Sequence, residues 1–148
     1  HGAGRNNYQW MPETIEKMGV RLDEAKNIDL REYIFDMDQV LCEADLVICR
    51  AGASTLAEIC AAGKPSIIVP SPYVADNHQE KNARVLEKRG AAVVLLEQET
   101  TGDKLYETAC QLLSQPDKLA EMGRRAKEMA KTDAADRIYQ QIRAVAGV

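Results

Sequence analysis

At 148 residues the chain has the size of one domain and is long enough to bury a substantial core. Hydrophobic residues make up 45% of it and charged residues 28%, a globular balance that excludes a disordered or low-complexity polypeptide. Lys and Arg number 19 against 23 Asp and Glu; the net charge of −4 removes the global positive field that nucleic-acid binding draws on, so no nucleic acid is expected as a partner.

Residues 1–8, HGAGRNNY, are polar and glycine-rich, like a loop that follows a strand, yet nothing before them supplies one. A parallel sheet lacking its first βα unit would leave an uncovered edge, so the chain is expected to be a piece of a longer polypeptide. The alternative is a short natural protein with a disordered N-terminus. On either account one domain is expected over residues 1–148, with 1–8 a loop and 133–148 a C-terminal helix.

From Asn27 onward strand-like and helix-like segments alternate, the pattern of βαβ units and a parallel sheet. Residues 29–33 read as extended, 36–43 as a helix, 46–49 as a buried strand, 55–62 as a helix and 66–69 as another strand. Gly63 ends the second helix before Pro65. Residues 77–89 set Ala83, Val85 and Leu86 among charges as a helix, Gly90 stops it, and 91–96 form the next strand. Three amphipathic helices follow, over 104–113, 117–130 after Pro116, and 134–145. Nothing after Glu97 reads as a strand.

The basic residues Arg124, Arg125 and those in the 127–131 run fit a solvated helix face, with a weak membrane-surface role left open. Cys42, Cys49, Cys60 and Cys110 contain no C-x-x-C pair and sit in apolar segments, as reduced core thiols would. No apolar run approaches the roughly 18 residues of a membrane span and no signal peptide is present, which reads as a cytoplasmic protein.

In an open α/β sheet ligands bind beyond the carboxyl ends of the strands, so the loops after 46–49 and 66–69 are the places to look. The first, Arg50-Ala51-Gly52-Ala53-Ser54-Thr55, has small residues that permit close approach to a helix N-terminus suited to a phosphate or a sugar hydroxyl. It matches neither the phosphate loop nor the dinucleotide fingerprint. Glu58, one turn on, could accept hydrogen bonds from the vicinal hydroxyls of a ribose, but Thr55-x-x-Glu58 also has the spacing of a capping box, which spacing alone favours. Arg50 either faces phosphate or pairs with an acid such as Asp45 or Glu58. The second loop, residues 70–79, is longer than a βα turn requires and gathers Asp76, Asn77, His78 and Gln79. There too a helix start, with Asp76 as N-cap and Gln79 three residues later, is the plainer account. Asp76 and His78 without a third ligand make no metal site, and two histidines without a G-x-S-x-G elbow give no support to a nucleophilic triad.

The run ADLVICRAGASTLAEICAAGKPSIIVPSPYVADNHQEKNA, residues 44–83, closely resembles the C-terminal domain of MurG, the family of bacterial glycosyltransferases that makes lipid II. HGAGRNNY looks like that family's H-x-T-G…Y segment, and Tyr33-Ile34-Phe35-Asp36-Met37 like its F-I-x-D-M. The resemblance implies a GT-B architecture in which this chain is the Rossmann-like C-terminal, donor-binding domain: a parallel sheet with flanking helices, its first strand and glycine-rich loop missing. It makes Ile34 a backbone partner of uracil, Glu58 the acceptor of the ribose hydroxyls, and the backbone at Ala53, Ser54 and Thr55 a cradle for diphosphate and sugar. His78 and Gln79 fall where the family has a pair touching ribose, phosphate and the hydroxyls of N-acetylglucosamine (GlcNAc). Ala3 stands where the family has threonine. The acceptor-binding N-terminal domain and the groups proposed as catalytic base lie outside the sequence, so no catalytic residue is expected here and the chain alone is expected to be inactive.

For the whole enzyme the resemblance implies inverting transfer of GlcNAc from UDP-GlcNAc to the C4 hydroxyl of the muramyl sugar of lipid I. It implies no cofactor and no obligatory metal, with departing UDP stabilised by helix N-termini, and peripheral attachment to the cytoplasmic face of the membrane. Other UDP-sugar transferases, including two-subunit GlcNAc transferases, and a non-catalytic nucleotide-binding docking module are the alternatives.

Overall fold

The computed structural model describes residues 1–147. Packing divides the chain into two compact units, His1–Met37 and Asp38–Val148. The last residue of the expected C-terminal helix, Val148, lies outside the described residues.

In the first unit the chain start runs beside residues 29–32. Gly2 and Arg31 form an isolated parallel bridge. Arg31 N–H donates to the His1 carbonyl at 2.8 Å, Ala3 N–H to the Arg31 carbonyl at 2.9 Å and Gly4 N–H to the Glu32 carbonyl at 3.0 Å. The segment expected to be extended is thus strand-like over one bridge only. A Cβ at Gly2 would stand 3.2 Å from Ile34 Cδ1, so the Ile34 side chain packs closely over this glycine. Two short helices follow, α1 (Arg5–Tyr8) and α2 (Met11–Lys17). Half of the expected N-terminal loop is therefore a helical turn, and α2 was not foreseen. Its signals are Pro12 in the first turn, where a missing N–H costs nothing, and Glu13 beside the positive end of the helix. Arg31 lies between two carboxylates, Asp29 at 2.7 Å and Asp36 at 2.8 Å. Hydrogen bonding from Arg31 lowers the pKa of Asp29 below the usual carboxylate value.

The second unit contains the sheet. Its elements after α3 (Met37–Glu43) are β1 (Val47–Cys49), α4 (Ala53–Ala62), β2 (Ser66–Ile68), α5 (His78–Lys88), β3 (Ala92–Val94), α6 (Gly102–Leu113), α7 (Pro116–Glu128) and α8 (Ala134–Ala146). The strands lie in the order β1-β2-β3, all parallel, with Val47 opposite Ser66 and Ser66 opposite Ala92. The three strands predicted from residue 46 onward are present, each shortened, and among the described residues none follows Glu97.

The alternation of side chains along β2 divides the core. Ile68 points into the cluster formed by Leu56, Ile59 and Cys60 of α4 and by Ala83 and Leu86 of α5. Ile67 points the other way, to Leu95, Leu112 and Met122. Both isoleucines are fully buried, as expected for a central parallel strand covered on each face. Among the described residues β1 pairs on one side only, and Ile48 in mid-strand is exposed.

Where α4 meets α7 the backbones nearly touch. Gly63 ends α4 in the left-handed conformation, φ 68°. A Cβ on Gly123 of α7 would lie 2.6 Å from the Gly63 carbonyl oxygen. Lys127 Nζ donates to the Ala61 carbonyl at the same helix end, where a cation also meets the negative pole of α4. Arg124 and Arg125 pair with Glu121 along the outer face of α7, in keeping with a solvated basic face. The cysteines depart from the expectation of four core thiols: all are free, but Cys42 and Cys110 are exposed. Burial pushes the Cys49 thiol up to about 11 and raises that of Cys60. No described helix is long and apolar enough to cross a membrane.

Candidate functional site

The two polar loops leave the carboxyl ends of neighbouring strands, the position at which an open parallel sheet presents a ligand site. Helix α4 begins at Ala53 with Gly52 as N-cap, and no side chain caps it. Its first internal bond is Leu56 N–H to the Gly52 carbonyl, at 3.0 Å. The preceding amides, at Ala53, Ser54 and Thr55, therefore face outward at the positive end of a ten-residue helix.

This geometry removes the capping box. Thr55 is the third helical residue rather than the N-cap, and Glu58 lies a turn further in, exposed. Gly52 is not demanded by the fold either. Its φ of −63° is open to any residue, and an added Cβ would meet only Thr55 Oγ1, at an ordinary 3.6 Å. What that Cβ would fill is space in front of the helix end.

The second loop also departs from the simple helix start. Asp76 and Asn77 both lie in the left-handed region, φ 55° and 47°, within a 3-10 turn over Ala75–Asn77. Asn77, not Asp76, is the N-cap of α5, and it makes no side-chain cap bond. Asx residues tolerate this conformation better than most, and two in succession store backbone strain that surrounding contacts must hold. Asp76 pairs with Lys81 at 2.8 Å, and Asn77 Nδ2 donates to Glu80 at 2.7 Å. The strained turn leaves His78 exposed as the first residue of α5.

Gln79 is partly buried and reaches back to both loops. Its Oε1 accepts from Ser71 N–H at 2.9 Å and from Ala51 N–H at 3.2 Å. Asn82, one turn further along α5, donates from Nδ2 to the Ala51 carbonyl at 3.3 Å. Arg50 pairs with Glu97 and donates to the Val69 carbonyl at 3.2 Å, thereby spanning residues just beyond the ends of all three strands. Neither Asp45 nor Glu58, the acids considered from sequence, is its partner. Asn82 and Glu97 escaped the sequence reading. For Asn82 the available signal was its place three residues after Gln79, on the helix face that buries Ala83 and Leu86; the pairing of Glu97 had none.

Arg50, the first amides of α4, His78 and Gln79 lie on the loops and helix starts that follow β1 and β2, and Glu58 is the sixth residue of α4. Ile34 belongs to the first unit, partly buried, beside Gly2. A cavity of about 320 Å³ lined by Lys64, Pro65, Pro116 and Gly123 sits instead before the amino end of β2 and contains none of the predicted residues.

A family model described as the glycosyltransferase family 28 C-terminal domain matches residues 1–138. The chain belongs to this family. The match runs through both compact units. Relatives of the family 28 domain include a protein of Caldanaerobacter subterraneus subsp. tengcongensis, 48% identical over 143 residues, which cover 97% of this chain and 39% of the relative. Another, from Acetivibrio thermocellus, is 50% identical over 120 residues, 81% of this chain and 32% of the relative. Both are named UDP-N-acetylglucosamine--N-acetylmuramyl-(pentapeptide) pyrophosphoryl-undecaprenol N-acetylglucosamine transferase. The crystal structure of MurG from Acinetobacter baumannii is similar with a TM-score of 0.78 and 31% identity, covering 92% of this chain and 39% of that one. The glycosyltransferase VinC shares the fold, with a TM-score of 0.65 at 18% identity. The chain therefore spans well under half the length of the relatives it matches.

Proposed function

We propose that this chain is the donor-binding part of an inverting glycosyltransferase that moves GlcNAc from UDP-GlcNAc to lipid I, forming lipid II. The observation that carries the reading is the uncapped N-terminus of α4 followed by an exposed Glu58, within a family 28 domain 48% identical to a transferase of that name. The outward amides at Ala53, Ser54 and Thr55 supply hydrogen bonds and the positive pole of the helix to a diphosphate. As the glycosidic bond breaks, negative charge grows on the departing UDP, and donors already aimed at it stabilise that charge without reorganising. Glu58 accepts from the ribose hydroxyls. Ile34 presents backbone groups to uracil, and His78 lies within reach of the ribose and phosphate.

Acceptor binding and the catalytic base belong to sequence beyond these residues, in proteins of the relatives' length. The whole enzyme works at the cytoplasmic face of the membrane as a peripheral protein, where its lipid-linked acceptor is found.

Calorimetric titration of the intact protein with UDP, UDP-GlcNAc and ATP tests the assignment. UDP and UDP-GlcNAc should bind and ATP should bind at least about 10-fold more weakly, the equivalent of one hydrogen bond lost at the base. Equal affinity for all three would reject a uridine site.

A further inference from the structure

We propose that Gln79 and Asn82 are positioning residues that hold Ala51 through both of the peptide groups flanking its Cα, one by the N–H and the other by the carbonyl, and so fix the direction in which α4 presents its first amides. Ala51 is fully buried, two residues past the end of β1 and immediately before the N-cap Gly52. A buried residue needs a partner for its backbone N–H and for its carbonyl. The sheet supplies neither, because the ladder to β2 covers residues 47–49.

Helix α5 supplies both. Gln79 Oε1 takes the Ala51 N–H at 3.2 Å, and Asn82 Nδ2 donates to the Ala51 carbonyl at 3.3 Å. The same Oε1 takes the Ser71 N–H at 2.9 Å, so one oxygen ties the loop after β1 to the loop after β2. Two N–H donors converging on one atom require that atom to be the amide oxygen, which settles the orientation of the Gln79 amide. Gln79 and Asn82 lie three apart on the face that buries Ala83 and Leu86, so a packed helix, rather than a free loop, delivers both groups. Gly52 follows Ala51 directly. Any rotation about the backbone dihedrals of Ala51 would swing Gly52 and the amides of Ala53 and Ser54 away from a bound diphosphate.

The inference rests on the donor-site reading above and adds that diphosphate is recognised through backbone whose aim is set by α5. Its test uses Gln79→Ala, Asn82→Ala and Gln79→Glu in the intact protein, with titration of UDP and UDP-GlcNAc and hydrogen exchange at the Ala51 and Ser71 amides. Circular dichroism confirms folding, and Asn82→Ser replaces the alanine variant if that one does not fold. Both alanine variants should lose affinity for UDP and UDP-GlcNAc by the same factor, about 10-fold, because the two ligands share the diphosphate. The double variant should lose less than the product of the single losses, since both side chains act on the same residue. Exchange at Ala51 and Ser71 should accelerate in Gln79→Ala and return to the wild-type rate in Gln79→Glu, which keeps an acceptor oxygen.

A loss confined to UDP-GlcNAc would make these side chains sugar contacts and overturn the proposal. Unchanged affinity for both ligands, or unchanged exchange at Ala51 in Gln79→Ala, would overturn it as well. If the wild-type protein bound no UDP, the donor-site reading would fall and take the diphosphate role with it, while the exchange rates would still report whether the grip on Ala51 exists.

Discussion

Replacing Glu58 by alanine separates two roles that the sequence leaves entangled. As the acidic member of a capping box, Glu58 would hold a backbone N–H, and its loss would cost about 1 kcal/mol of stability. The structure gives it no such duty, because α4 starts at Ala53 and Glu58 is its sixth residue, exposed and beyond the first turn where the helix dipole acts. Alanine is also the better helix former by a few tenths of a kcal/mol. Thermal and urea unfolding of Glu58→Ala should therefore match wild type to within about 0.5 kcal/mol. Donor affinity should fall nonetheless. A carboxylate accepting one or two ribose hydroxyls contributes about 1.5–3 kcal/mol, so UDP and UDP-GlcNAc should each bind about 10- to 100-fold more weakly by calorimetry. Glu58→Gln, which keeps an acceptor oxygen but not the charge, should fall between the two. Lost stability with unchanged affinity would return Glu58 to a structural role and refute the reasoning.

Three other perturbations probe the same frame. Gly52→Ala puts a methyl into open space before α4 with only an ordinary 3.6 Å contact to Thr55; the protein should fold with a loss below about 1 kcal/mol while UDP affinity drops at least about 10-fold, and an unaffected Kd would show that no ligand approaches there. Ser66 is fully buried with an unpartnered hydroxyl, so Ser66→Ala should raise stability by about 1 kcal/mol, a Tm gain of about 2–4 °C in a protein of 150–250 residues; a lower Tm would mean that the hydroxyl has a partner. Hydrogen bonds from Arg124 and Arg125 hold Glu121 down to about 2 from an unperturbed 4.5. Its folded pKa lies below its unfolded one, so its stabilisation is present above about pH 4.5 and disappears as pH falls toward about 2. Glu121→Gln should have a lower urea midpoint than wild type at pH 6, with the gap narrowing below about pH 4.5 and closing only toward about pH 2; a gap independent of pH would argue against the charge pairing.

The order of elements from residue 36 onward was legible because each strand is a short apolar run and each helix an amphipathic one, and those periods are properties of neighbouring residues. Gly63 and Gly90 punctuated the helices for a local reason, since both take the left-handed conformation that glycine adopts without strain. The helix over Met11–Lys17 was passed over, although Pro12 in its first turn is a start signal. Boundaries moved where tertiary packing decided them: α5 starts at His78 because Asp76 and Asn77 are held in a left-handed turn.

The same division runs through the site. The sequence by itself determined that two polar loops follow consecutive parallel strands and that Glu58 stands one turn into the helix after the first, because strand order and helical spacing are encoded along the chain. Its spacing favoured the cap for Glu58, and it left Arg50 between phosphate and an acid such as Asp45 or Glu58. Those choices depend on where a helix begins and on which residues meet across the sheet. Only the tertiary structure placed the start of α4 at Ala53, brought Glu97 from beyond β3 to Arg50, and set Gln79 on the N–H and Asn82 on the carbonyl of Ala51. Contacts between residues about 30 to 50 positions apart leave no periodic trace in a single sequence, since they are fixed by the packing of whole helices against the sheet.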